Sequence, residues 1–147
     1  MIFKERFDKL ISNLEEKIRT HYPAFDFEIV DKNSDANAEI IEFQHNDRTF
    51  IALFLSRIKN CRISEIIIQP ISTLEFKRLI YENVLNGSCI LGNQIGVFLC
   101  DNNFEQEIKK IEFIPENKIL CKNIENAVEI IYTTISQQLI KLGYLPV

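Results

Sequence analysis

Residues 50–55 read Phe-Ile-Ala-Leu-Phe-Leu, and this run decides the fold. Every side chain in it is apolar, so a strand made from it has no face that prefers water. A strand of this kind belongs at the centre of a sheet, with further structure packed above and below it. We therefore predict a layered domain built around a strand at residues 49–55.

The residues before this run predict a β-hairpin and one more strand. Residues 39–44 are a strand candidate, and Asn46-Asp47 separates them from the central strand. Asparagine and aspartate tolerate the backbone of tight turns, so the two strands are expected to pair. Residues 25–29 alternate between apolar and acidic side chains, which is the pattern of a half-buried strand.

Three more strand candidates follow the central run. Residues 63–69 contain three consecutive isoleucines, whose branched side chains fit a pleated surface, and Pro70 is expected to end this strand. Residues 94–100 and 107–114 are predicted to form a second hairpin, with its turn at residues 101–103.

Three helices are predicted from apolar positions spaced three and four residues apart. The first covers residues 2–21. The second covers residues 72–85 and opens on Ser72-x-x-Glu75, a capping box. The third covers residues 123–142, with an asparagine as its N-cap and a glycine after its end.

Together these elements predict a single α+β domain over residues 1–147. Its sheet is expected to be antiparallel, with about five to six strands, and to be flanked by three helices. The predicted order of elements is α-β-β-β(-β)-α-β-β-α.

Composition narrows the function classes. The chain has 147 residues, is 46% hydrophobic and 26% charged, and carries a net charge of −4. An acidic balance argues against nonspecific nucleic-acid binding, which depends on phosphate neutralisation. No apolar run approaches the roughly 20 residues of a bilayer-spanning helix, and no signal peptide is visible. We therefore expect a cytoplasmic protein that binds neither nucleic acid nor membrane.

No catalytic motif stands out, so we expect a protein that is not an enzyme and has no cofactor. The sequence lacks a glycine-rich phosphate loop, a His-Glu-x-x-His zinc motif and a Gly-x-Ser-x-Gly elbow. Asp101 followed by Glu107-x-Lys109 resembles the Asp and Glu-x-Lys motif of metal-dependent nucleases. The same Glu-x-Lys spacing recurs at residues 75–77 and 116–118, so we interpret all three as solvated faces.

The cysteines are predicted to be reduced and free of metal. They are Cys61, Cys89, Cys100 and Cys121, and no two of them form a Cys-x-x-Cys pair. A thiol titration of the denatured chain is therefore expected to find all of them free.

The order of elements in the second half resembles that of a known family. Residues 76–83 read Phe-Lys-Arg-Leu-Ile-Tyr-Glu-Asn and precede the strands Ile-Gly-Val-Phe-Leu-Cys (95–100) and Ile-Lys-Lys-Ile-Glu-Phe-Ile-Pro (108–115). A long final helix at residues 123–142 closes the domain. This arrangement resembles the class I type III secretion chaperones, the Tir-chaperone-like superfamily.

The resemblance implies a non-enzymatic homodimer that holds a disordered segment of an effector protein as an extended chain, by strand addition and apolar pockets. Eleven phenylalanines and many isoleucines also offer more apolar surface than three helices are expected to cover. The predicted partner-binding residues are Phe50, Ala52, Leu53, Phe54, Ile66, Ile67 and Ile68. The predicted dimer residues are Leu79, Ile80, Tyr81 and Val84.

The composition also fits a second class, an immunity or antitoxin-like protein that blocks a folded toxin. Such a protein would direct charged rim residues such as Glu39, Glu42 and Asp47 at a basic active site. A chaperone should recognise a flexible segment, whereas an immunity protein should require a folded target.

Overall fold

The computed structural model of the chain describes residues 2–31, 38–56, 65–74, 76, 95–101 and 118–146. Within these ranges the elements form an α+β arrangement of helices and a single sheet. In chain order they are α1 (Ile2–His21), β1 (Glu28–Asp31), β2 (Ala38–His45), β3 (Arg48–Ser56), β4 (Glu65–Ser72), β5 (Ile95–Asp101), β6 (Lys118–Leu120) and α2 (Ile124–Lys141).

The central position predicted for residues 49–55 is confirmed. The six described strands lie in the order β1-β2-β3-β5-β4-β6, so β3 has neighbours on both sides. Every side chain from Phe50 to Leu55 is at most 5% exposed. The apolar character of both faces of this strand therefore corresponds to burial on both faces.

The first predicted hairpin is also confirmed. β2 and β3 pair antiparallel from Ala38 opposite Ser56 to His45 opposite Arg48. Asn46 and Asp47 form the turn with φ angles of 50° and 64°. Positive φ at both central residues is the backbone of the turn type that fits the twist of paired strands.

The prediction of an antiparallel sheet is wrong at one pair of strands. β4 and β5 run parallel, with Ile66 opposite Ile95 and Ser72 opposite Asp101. β5 pairs on its other side with β3. Because β3 and β4 occupy the two edges of β5, the hairpin predicted between residues 94–100 and 107–114 is wrong; residues 107–114 themselves lie outside the described residues.

Two strand boundaries differ from the prediction for identifiable reasons. β4 continues through Pro70 to Ser72. Among the described strands, β6 pairs only with Glu65–Ile67, so Pro70 lies beyond that pairing, where a missing backbone donor is tolerated. The predicted strand at residues 25–29 is observed instead at Glu28–Asp31. Phe25 and Phe27 precede this strand, and their rings are buried in the core.

The first and last helices form as predicted, and they cover one face of the sheet. α1 contributes a fully buried stripe, and α2 packs beside it and over β3 and β5. Gly143 follows α2 with a φ of +78°, which favours glycine at a helix end. The buried stripe of α1 consists of Phe7, Leu10, Leu14 and Ile18.

The predicted third helix, over residues 72–85, lies mostly outside the described residues. Thr73, Leu74 and Phe76 have helical backbone. The Phe76 ring lies 5.5 Å from the Phe98 ring, on the face of the sheet opposite α1 and α2. Two helices are therefore present within the described ranges, where the sequence predicted three.

Replacing Asn123 with alanine is expected to lower the free energy of unfolding by about 1 kcal/mol. The Asn123 side chain accepts a hydrogen bond of 2.8 Å from the Asn126 backbone N–H in the first turn of α2. Urea denaturation measures the loss. Asn123→Asp keeps a capping oxygen and should retain most of the stability, and equal stability of Asn123→Ala and the wild type would contradict the capping role.

Candidate functional site

The residues predicted to form an open partner-binding face are mostly enclosed within the chain. Ile68 is the exception, because it is half-buried. The apolar face expected from the sequence is therefore closed at the other positions. The enclosed side chains, each 4% exposed or less, are Phe50, Ala52, Leu53, Phe54, Ile66 and Ile67.

Other predicted positions fall outside the described residues. The predicted dimer residues are all among them, namely Leu79, Ile80, Tyr81 and Val84. Of the nuclease-like fragment, Asp101 is the last residue of β5, whereas Glu107 and Lys109 lie outside the described ranges.

A cleft of about 190 Å³ lies between the end of the parallel strand pair and α2. We call it the β4–α2 cleft. It opens at the carboxyl ends of parallel strands, the position where α/β folds commonly bind ligands. Its lining residues are Pro70 of β4, Leu99 and Asp101 of β5, and Thr134, Gln137, Gln138 and Lys141 of α2.

Within the described residues, two helices lie over a sheet of six strands and do not cover its full width. A helix with its side chains is about 10 Å across, whereas six strands spaced about 4.8 Å apart span about 24 Å. α2 lies over β3 and β5, with α1 beside it. The second half of β4 therefore lies beyond the two described helices, where Pro70 is exposed and Ile68 is half-buried.

Gln138 is the most unusual residue of the cleft. Its side chain is only 5% exposed, yet it is polar. Its amide nitrogen donates a hydrogen bond of 2.9 Å to the carbonyl oxygen of Cys100. A carbonyl can only accept, so this bond fixes the amide orientation and leaves Oε1 facing elsewhere. Among the residues that the structure describes, no donor bonds to Oε1.

An unequal ion pair lies at the mouth of the cleft. The Lys141 ammonium is 3.8 Å from an Asp101 carboxylate oxygen. The Asp101 side chain is 12% exposed and the Lys141 side chain 62%. The 3.8 Å separation and the exposure of Lys141 make this a weak ion pair, although the Asp101 side of it is largely buried.

Thr134 completes the polar lining. Its hydroxyl donates a hydrogen bond of 2.8 Å to the Ile130 carbonyl oxygen, so its own oxygen can only accept from an occupant. Oxygen acceptors from Thr134, Gln138 and Asp101 therefore line one cleft. Such a cleft suits an occupant that carries several hydrogen-bond donors.

A second cleft, of about 210 Å³, lies beside the β2–β3 turn. We call it the turn cleft. Beside it, His45 Nδ1 lies 2.6 Å from the Asp26 carbonyl oxygen, and its ring lies 4.6 Å from the rings of both Phe25 and Tyr144. The lining residues are Asp26, Phe27, Glu28, Gln44, Asn46 and Asp47.

The acidic rim predicted for a toxin-blocking protein is only partly at the surface. Asp47 is exposed in the turn, but Glu39 is 4% and Glu42 is 9% exposed. Glu39 and Glu42 are three residues apart and therefore point to opposite faces of β2, and both faces of this strand are buried.

Glu42 lies buried on the face opposite the two helices. It stands across from Ala52 of β3 and accepts a hydrogen bond of 2.5 Å from the Thr49 hydroxyl. Burial, and after it the negative charge of Glu42, raise the pKa of the Cys100 thiol. Burial also raises the pKa of Cys121. Both thiols are free in the structure.

Cys100 and Cys121 are expected to react with a thiol reagent at least about tenfold more slowly in the folded chain than in denaturant, because thiolate is the reactive form. A Cys61→Ser/Cys89→Ser variant isolates these two thiols. Absorbance after addition of a disulfide reagent follows the reaction. Equal rates in buffer and in denaturant would contradict burial of the two thiols, and fewer than two reactive groups in denaturant would contradict their reduced state.

In comparisons with known proteins, no family model, curated protein or solved structure matches the chain. Within the described residues, no three His, Cys, Asp or Glu side chains are arranged to hold a metal ion. None of the helices in this part of the chain is long and apolar enough to cross a membrane. The two clefts are therefore the features of the described residues that point to a function.

Sequence reasoning did not identify Gln138, although a signal was present. The apolar stripe of α2 includes Ile131, Ile135, Leu139 and Leu142, and Gln138 lies three residues after Ile135 on the same side. A polar side chain at such a position has to find a partner in the interior. The sequence gives no indication of which partner that is.

Proposed function

We propose that this chain is a non-enzymatic binding protein that holds an extended segment of a partner protein, in the manner of a secretion chaperone. The observation that carries the proposal is the β4–α2 cleft, with the buried oxygen of Gln138 that has no donor among the described residues. A segment placed there can donate to this oxygen. The proposed setting is the cytoplasm, and the binding needs no cofactor.

The backbone of β4 supports the same proposal. β6 pairs with Glu65–Ile67 only, so no described strand lies beside the outer edge of Ile68–Ile71. An extended segment can add to such an edge through main-chain hydrogen bonds, with side chains reaching alternate faces. Pro70 limits the donors that the edge presents, which restricts uncontrolled pairing between copies.

Filling the cleft is expected to weaken segment binding at least about tenfold, because ligand and side chain compete for the same space. Thr134→Trp places a bulky ring in the cleft. Thr133→Trp is the matched control, since Thr133 is the exposed neighbour on the same helix and does not line the cleft. The partner is first captured on the immobilised full chain, and fluorescence anisotropy then measures its labelled segments.

The proposal requires that a segment of about 10–20 residues binds nearly as tightly as the whole partner, because a flexible segment carries the recognition. It also requires that Thr134→Trp weakens binding while Thr133→Trp does not. Binding that depends on a folded partner domain would overturn the proposal. Equal binding by the two tryptophan variants would also overturn it.

We also propose that the chain forms a homodimer through Leu79, Ile80, Tyr81 and Val84. The support is the resemblance of the element order to the secretion chaperones. Light scattering at micromolar concentration should give twice the mass of the chain, and Ile80→Glu should shift the mass toward the monomer. A monomeric wild type would contradict the dimer, and unfolding of Ile80→Glu would assign the residue to the core.

A second candidate function is an immunity-like protein that blocks a folded, basic target. The turn cleft favours it, because Asp26, Glu28 and Asp47 around it are exposed. Glu28→Lys should then slow association about tenfold at low salt, since rim charges act mainly on association rates. Glu16→Lys on α1, which makes the same charge change at an exposed position, should have little effect.

A further inference from the structure

We propose that the outer edge of β1 binds an extended basic segment of a partner protein by strand addition, and that this segment carries two basic side chains three residues apart. β1 is the first strand in the order of the described sheet, and its neighbour there is β2. The β4–α2 cleft lies toward the other end of that order. This second surface therefore goes beyond the proposed function and does not depend on it.

The backbone of β1 is suited to strand addition. Residues 28–31 pair with residues 44–41 without a register shift, and β1 contains no proline. In an antiparallel pair, alternate residues direct both N–H and C=O away from the neighbouring strand, so β1 presents such groups along its outer edge. Among the described strands, none pairs with that edge. A partner segment can therefore continue the ladder through main-chain hydrogen bonds.

The side chains of β1 specify the chemistry of the partner. Glu28 and Asp31 are exposed at the two ends of the strand, and the two residues between them are half-buried. Ile29 packs against the core that α1 and α2 cover, whereas Val30 lies opposite Glu42, on the other face. A segment along this edge meets the order acidic, apolar, apolar, acidic. Its complement is basic, apolar, apolar, basic.

The two carboxylates are available to such a partner. Among the described residues, neither Glu28 nor Asp31 makes an ion pair or a side-chain hydrogen bond. Arg19 reaches the residue before β1, with Nη2 at 3.4 Å from the Phe27 carbonyl oxygen. Its guanidinium is held elsewhere, because Nη2 also lies 3.1 Å from Glu15 Oε2 and the group packs over the Phe27 ring. The net charge of −4 adds a long-range attraction for a basic segment.

The same charges disfavour a second copy of the chain as the occupant. If two β1 strands paired antiparallel about a two-fold axis between Ile29 and Val30, Glu28 of one copy would face Asp31 of the other, at both ends of the pair. Like charges directly opposite each other destabilise a strand pair, whereas opposite charges stabilise it. The acidic ends of β1 therefore oppose self-pairing and at the same time select a basic partner.

The test uses the full chain and synthetic peptides, so it needs no identified partner. The main probe is acetyl-Thr-Lys-Val-Ile-Lys-Thr-amide. A second peptide has the central order Lys-Val-Lys-Ile, which keeps the composition but places the lysines two residues apart, and a third has glutamate in place of both lysines. ¹H–¹⁵N NMR titrations give the dissociation constants and show whether the amide signals of β1 shift. The main probe should bind about threefold more tightly than the second peptide and about tenfold more tightly than the third.

N-methylation of the peptide backbone distinguishes strand addition from charge attraction alone. Two further versions of the main probe carry N-methyl groups on alternate residues, one at the odd positions and one at the even positions. Only one of these patterns removes the N–H groups that face β1. That version should lose affinity at least about tenfold, and the other should retain most of it. Equal affinities of the two N-methylated versions would overturn the inference.

Charge reversal in the chain tests the acidic ends of β1. The Glu28→Lys/Asp31→Lys variant should prefer the glutamate peptide to the main probe. The Asp8→Lys/Glu16→Lys variant is the matched control, since it makes the same change in net charge at exposed positions of α1 and should keep the wild-type preference. Equal behaviour of the two variants would overturn the inference, because the effect would then come from net charge. If the reversed variant fails to fold, Glu28→Gln/Asp31→Asn should remove the preference between the two peptides.

Two results would assign the edge or the peptide differently. Amide signals of β1 that shift on dilution of the free chain would show that a second copy occupies the edge, and would overturn the inference. Peptide binding that shifts signals of β4 and α2 instead of β1 would also overturn it, while supporting the proposed function. Binding at β1 without any segment binding at the β4–α2 cleft would remove the proposed function and leave this surface.

Discussion

Replacing Leu53 with aspartate is expected to unfold the domain. Leu53 is fully buried at the centre of β3, between β2 and β5 and beneath the two helices. The substitution removes apolar contacts and places a carboxylate where no solvent reaches it. The combined loss should exceed about 5 kcal/mol, which is comparable to the whole stability of many domains of this size.

Leu120→Asp is the matched control, because it makes the same substitution in a strand at a residue that is 68% exposed. Its effect should stay within about 0.5 kcal/mol. Circular dichroism and urea denaturation compare the two variants with the wild type. A folded Leu53→Asp protein that has lost only partner binding would show that the apolar face opens in solution, as the sequence first suggested.

Local patterns along the chain were sufficient to predict the elements that depend on near neighbours. The apolar run at residues 50–55 identified the central strand because burial on both faces leaves no polar position in the strand itself. Asn46 and Asp47 identified the hairpin because few other residue types adopt the backbone of that turn. Asn123 identified the start of α2 because its side chain bonds within the same turn.

The parallel pairing of β4 with β5 could not be predicted in the same way. Periodicity reports which faces of a strand are buried, but it does not report which strand lies alongside or in which direction. Ile95, Val97 and Leu99 alternate as they would in a hairpin, and the same alternation fits a strand enclosed between β3 and β4. The prediction paired residues 94–100 with the next strand candidate along the chain, whereas β5 pairs with β3 and β4, which are more distant in sequence.

The same limit explains why the candidate site was missed. Sequence motifs consist of chemical groups at fixed short spacings, but the β4–α2 cleft gathers single residues from β4, β5 and α2, which are distant along the chain. Apolar strands appeared to offer an open face, because the sequence does not show how completely each face is covered. In the part of the chain that the structure describes, the less covered region lies instead at one side of the helix layer, beyond α2.

Thr49→Val is expected to lower the free energy of unfolding by about 2 kcal/mol, because it leaves a buried charged group without its hydrogen bond. The Thr49 hydroxyl donates to Glu42, and no other donor to Glu42 is found among the described residues. Valine has nearly the shape of threonine, so the packing changes little. Urea denaturation measures the loss, and Thr134→Val is a control in which a half-buried hydroxyl bonded only to its own helix is removed.

Replacing Glu42 as well should reverse most of this loss. Glu42→Met keeps an unbranched side chain of similar length and removes the charge from a face that also carries Ile40, Phe54 and Phe98. An apolar pair in place of a buried polar pair is often neutral or stabilising, so the double variant should be more stable than Thr49→Val alone. If the double variant instead lost the sum of the two single-variant losses in unfolding free energy, Glu42 would have to be stabilised by contacts other than its hydrogen bond with Thr49. Recovery of stability would show that the fold does not require this carboxylate, which would make Glu42 a residue retained at a cost to stability and therefore a candidate for a role beyond folding.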